Sequence, residues 1–190
     1  MGFFSFFRKK RKDQSATEAA KIPKFEEVFT IESRLFINAP ADSTPDSQFT
    51  DEQLNSVIVT LGAGLRAHLS QISDEIYPEA RTPTHQHKSM VAVADALLAE
   101  GATPTPFTQW SQSPIQGVAA RIMINELTRT ALFGPSLAMV RNTAPFHPEI
   151  AAIVESAHQK GEVVYILAID GLAYGVITLS HALREVKELS

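Results

Sequence analysis

The stretch that most constrains the fold is Val163–Leu179, which reads VVYILAI-DG-LAYGVITL. Two apolar runs of strand length meet at Asp170-Gly171, and an Asp-Gly pair supplies the positive φ angles that a two-residue hairpin turn demands. A second strand pair precedes it: Gly117 to Ile124, a turn at Asn125-Glu126, then Leu127 to Phe133 ending at Gly134-Pro135. Strands joined by hairpins, with no βαβ crossover between them, predict a mostly antiparallel sheet. Helical patterns account for much of the rest. Thr50 reads as an N-cap with Gln53 completing a capping box, ahead of the stripe Leu54, Val57, Ile58, Leu61 and Leu65. That helix is expected to reach about His68 despite Gly62 and Gly64. A second helix spans His87 to Glu100 with Gly101 as its cap, and a third spans Pro148 to Lys160 before Gly161. Phe25 to Ile37 alternates as a strand, residues 70–86 read as an irregular connector, and Leu183 to Leu189 reads as a short final helix. The fold class is α+β, with helices flanking the sheet.

Composition narrows the function classes. With 190 residues, 44% hydrophobic and 20% charged, the chain suits one sizeable domain. A formal net charge of −4 gives no reason to expect nucleic acid. The chain has no cysteine, which excludes disulfides, thiol catalysis and thiolate metal sites and fits a cytoplasmic protein. No run approaches the roughly 20 apolar residues needed to span a bilayer.

Residues 1–24 form a tail and linker ahead of a domain at 25–190. The tail opens with MGFFSFFRKKRK. Phe3, Phe4, Phe6 and Phe7 suit the headgroup boundary, and Arg8, Lys9, Lys10, Arg11 and Lys12 would attract anionic lipid at about 1 kcal/mol each. The expectation is peripheral attachment at the inner face of a membrane; the alternative is a solvated tail.

The order of elements from His87 to Glu188 is similar to the nucleotide-binding (N) domain of heavy-metal, copper-type P-type ATPases. His87 with HKSMVAVADALLAEG matches the helix whose His lies against adenine in that family. SPIQGVAARIMI matches its glycine turn and strand, TALFGPS the next turn, and GEVVYILAIDGLAYGVITLSHALRE the closing hairpin. The resemblance implies cofactor-binding roles for His87, Gly117 and Gly134, with ATP or another adenine nucleotide bound weakly. It also implies a partner such as a P-type ATPase. The departures are specific. Gln86 and Lys88 flank His87 where the family has Glu and Pro, and Ile115 stands at the first glycine of the turn. His181-Ala182 replaces an Asp-Pro, and no Asp-Lys-Thr-Gly-Thr occurs. A degenerate, stand-alone and non-catalytic relative is therefore expected.

Each of these residues also has a plainer reading. His87 would serve as an exposed helix-start residue, and the glycines as conformational positions. Trp110 reads as a core or cleft aromatic. His85 and His87 alternate as a metal pair would, yet their nearest candidates, including His68, His147, His158 and His181, are distant in sequence, so no metal is expected. No catalytic residue is assigned, since no nucleophile elbow, P-loop or zinc-protease motif occurs. The alternative function is a ligand-free structural or protein-interaction module at the membrane surface.

Overall fold

The Asp170-Gly171 hairpin lies inside a six-stranded antiparallel sheet. The computed structural model describes residues 22–37, 47–73, 85–113 and 116–187, the side chains of 69–73 excepted. In chain order the elements are β1 (Phe25–Phe36), α1 (Asp51–Ser73), α2 (His85–Ala99), β2 (Phe107–Ser113), β3 (Gly117–Ile124) and β4 (Leu127–Pro135). They continue with α3 (Ser136–Asn142), α4 (Pro148–Gln159), β5 (Val163–Ile169) and β6 (Leu172–Glu185). The strand order is β1-β6-β5-β4-β3-β2. Both expected tight turns are present. Asn125 and Glu126 have φ of +52° and +65°, and Asp170 and Gly171 have +50° and +81°, the left-handed pair a type I′ turn needs. The Asp170 carboxylate accepts the Thr130 N–H and an Arg129 Nη1 donor, each at 3.0 Å, which ties this turn to β4.

The chain divides into two units. The larger, Phe29–His181, holds every described helix and most of the sheet. The smaller comprises 1–28 and 182–190, of which residues 22–28 and 182–187 are described. Within it, Val186 N–H donates to the Lys24 carbonyl at 2.8 Å, and Arg184 pairs with Glu26. Here the sequence expectation is corrected: residues 183–185 are strand, not the start of a final helix. The reason is pairing. A local run of helix-favouring residues yields to a strand whose backbone groups have a partner.

Within the larger unit, side chains alternate along the strands into two separate cores. Tyr165, Leu167 and Ile169 of β5 join α1 and α2 with Val118, Ala120, Ile122 and Phe133. Val164, Ile166 and Ala168 point the other way, to Met139 of α3 and Ile150 and Ala157 of α4. The unbroken apolar sequence of β5 follows from this two-sided burial. β3 alternates instead, with Arg121 and Met123 exposed on the face away from α1 and α2.

Helix α1 starts as expected. Gln53 N–H donates to Thr50 Oγ1 at 3.2 Å, and Gln53 Oε1 accepts from the Thr50 N–H at 3.0 Å. It runs to Ser73, past the His68 limit inferred from its glycines, because both glycines serve packing. A Cβ at Gly62 would overlap Ala94 of α2, and one at Gly64 would overlap the Trp110 indole. Their cost of roughly 1 kcal/mol each relative to Ala is offset by these close approaches. Two elements lie outside the sequence expectation, β2 and α3. The connector resolves into helix at 70–73 and 85–86; residues 74–84 lie outside the described residues.

Candidate functional site

His87 sits in the first turn of α2, and its position is set by what lies beneath it. The Gln86 carbonyl accepts from Ser89 Oγ at 2.9 Å and from the Tyr165 hydroxyl at 3.3 Å. The Ser89 and Tyr165 hydroxyls are also hydrogen bonded to each other. Both residues are buried, and burial pushes the Tyr165 phenol up to about 12. A buried phenol requires a partner, and here the partners fasten the start of α2 to the central strand β5.

Above this lock, His87 Nε2 is hydrogen bonded to the side-chain amide of Gln112 on β2. Burial lowers the His87 pKa, and the nearby His68 lowers it further, both favouring the uncharged ring. His68 of α1 faces Trp110 with ring centroids 5.6 Å apart, and Trp110 Nε1 donates to the Leu61 carbonyl at 3.2 Å. The result is a cluster from α1, α2 and β2 that brings together an imidazole, an indole and an amide. Such a surface suits a flat, uncharged, nitrogen-rich ring system. Of these residues the sequence singled out His87 and weighed Trp110. Gln112, Ser89 and Tyr165 were not singled out. The one signal for Tyr165 was a hydroxyl within an otherwise aliphatic strand.

Gly117 and Gly134 are brought together, but by backbone contact. Gly117 has φ of +101°, and a Cβ there would overlap the Phe133 carbonyl oxygen. A Cβ at Gly134 would overlap the Gln116 carbonyl oxygen and lie 3.4 Å from Met139 Sδ. The start of β3 and the end of β4 thus cross at a distance only glycine allows. Gly134 faces α3, the opposite side of the sheet from α2. His87 is connected to this crossing through β2, where Gln112 pairs with Val118 and Ser113 with Gly117. Ile115 lies outside the described residues, as do Phe3, Phe4, Phe6, Phe7, Arg8, Lys9, Lys10, Arg11 and Lys12.

On the α3 side, a cavity of ≈ 450 Å³ is lined by Gln116, Pro135, Leu137, Ala138, Arg141 and Asn142. Leu137 and Val140 stand out from α3 at 77% and 62% exposure, more than its packing against the sheet requires. Among the described residues, no helix is long and apolar enough to cross a membrane.

No protein-family model and no curated protein matches the sequence. Solved structures do match. A zinc-transporting PIB-type ATPase superposes with a TM-score of 0.51 at 11% identity, over 82% of this chain and 19% of that one. A second structure of a zinc-transporting PIB-type ATPase, in a different state, gives 0.52 at 12% identity, over 82% and 19%. The N-domain of HMA8, a copper-transporting P-type ATPase, gives 0.49 at 9% identity, over 79% and 98%. The fold is that of the matched segment of these zinc-transporting ATPases, in agreement with the resemblance. This chain spans about a fifth of the length of the zinc-transporting ATPases it matches.

Proposed function

We propose that this chain binds an adenine nucleotide weakly beside His87, where α2 meets β2, without hydrolysing it, and acts by regulating a membrane partner such as a metal pump. The observation that supports this reading is the His87 imidazole tied to Gln112, on a helix start that Ser89 and Tyr165 fasten at the Gln86 carbonyl. A neutral ring stacks on a purine without the desolvation cost of a charged one, and base stacking contributes about 1–3 kcal/mol. Gln112 would orient the ring, and Trp110 would add apolar wall. A domain of this kind positions a nucleotide; in phosphoryl transfer the nucleophile and Mg²⁺ ligands come from other parts. Residues 1–12 would hold the chain to an anionic surface at the cytoplasmic face of the membrane.

ATP at millimolar concentration is expected to raise the melting temperature of the full chain. His87→Ala should weaken binding about tenfold, equivalent to about 1.4 kcal/mol. A parallel arm with anionic liposomes should sediment the full chain and not one beginning at Phe25. No ATP shift in the wild type would favour the second reading, a ligand-free interaction module. The exposed Leu137 and Val140 on α3 support that alternative.

A further inference from the structure

We propose that His85 and His181 form a binding site for a divalent transition-metal ion, of the class that prefers imidazole: Zn²⁺, Ni²⁺ or Cu²⁺. His85 is the first residue of α2 and His181 lies on β6, 96 positions away by subtraction of their numbers. Folding nevertheless brings their rings to 4.7 Å between centroids, at an interplanar angle of 83°. A ligand nitrogen of one lies within 4.8 Å of a ligand nitrogen of the other. One ion bound at about 2.0–2.1 Å from each nitrogen would bridge such a pair after a small side-chain turn. The Phe29 ring stands 5.0 Å from His85 and 5.2 Å from His181, centroid to centroid, and forms a common apolar wall. Imidazole nitrogen is a common ligand for ions of this class. Both imidazoles are exposed, so an ion has an entry path and oxygen ligands can complete its coordination.

His85 and His181 are anchored on different elements, a helix start and a strand. The rigidity of each therefore sets the span of the pair, which two histidines on one flexible loop would not do. The sequence places His85 nearest His87, but His87 is directed to Gln112. The ring beside His85 belongs to His181.

The test uses Zn²⁺ alone, titrated into the full chain by calorimetry at neutral pH, with Co²⁺ as a spectroscopic probe of the ligands. One saturable equivalent is expected, with Co²⁺ absorption bands characteristic of nitrogen coordination. His85→Gln and His181→Gln should each weaken Zn²⁺ binding at least tenfold, while their metal-free melting temperatures match that of the wild type. His147→Asn, which keeps a helix cap at a histidine remote in sequence, should bind Zn²⁺ as the wild type does. Absence of saturable binding in the wild type would overturn the proposal, as would either glutamine variant binding as tightly. No nucleotide is present, so the outcome is independent of the His87 reading.

Discussion

The two faces of the sheet use polar groups in opposite ways. On the α1–α2 face a buried side-chain network, Tyr165 with Ser89 and the Gln86 carbonyl, fixes a helix start that carries His87. On the α3–α4 face the close contact is made by bare backbone, where Gly117 and Gly134 cross. The first arrangement places side chains of α1, α2 and β2 beside one another above it. The second removes side chains altogether. The two glycines have close backbone neighbours, whereas His87 has a side-chain partner, Gln112.

This contrast can be broken most severely at the crossing. Gly117→Ala places a Cβ against a carbonyl oxygen at a φ of +101°, and should destabilise the fold by about 3 kcal/mol or more, measured by urea unfolding. If the loss were under about 1 kcal/mol, the crossing would be pliable and the two faces less different than described.

A smaller effect is expected from Tyr165→Phe, about 1–3 kcal/mol, because it leaves Ser89 and the Gln86 carbonyl short of a partner. It carries a pH signature as well. The folded phenol titrates at about 12 against 10.0 for the ordinary group, so the folded state holds its proton more tightly than the unfolded chain. That contribution is complete below pH 10 and is lost as pH rises from there towards 12, with a total on the order of 2–3 kcal/mol. The Phe variant should lack this fall; retention of it would assign the titration elsewhere.

The smallest effect is expected at Leu137→Ser, within about 0.5 kcal/mol, since the side chain is 77% exposed. A large loss would show that α3 depends on contacts its exposure does not reveal.

Most of the sheet was legible in the sequence because its information is local. Asp170-Gly171 and Asn125-Glu126 specify turns, and turns specify which strands pair. Strand β2 was not legible, since FTQWSQS is mostly polar, lies at the sheet edge, and is broken between Thr108 and Ser111 by an irregularity with Gln109 at φ +51°. Helix α3 follows directly on Gly134-Pro135, has no side-chain N-cap, and leaves Leu137 and Val140 in solvent, so neither cap nor apolar stripe announces it. At the candidate site, His87 was reached through family resemblance alone. Its neighbours Gln112 and Tyr165 lie 25 and 79 positions from His87 and Gln86 respectively, and no spacing rule connects them.

Helix α1 has a mechanical consequence through its two glycines. Positions 62 and 64 point in widely different directions around a helix, and each is a notch: one receives Ala94, the other the Trp110 indole. A shaft keyed on two sides can neither spin nor slide past its neighbours. A displacement of α1 is therefore coupled to α2 through Ala94 and to β2 through Trp110.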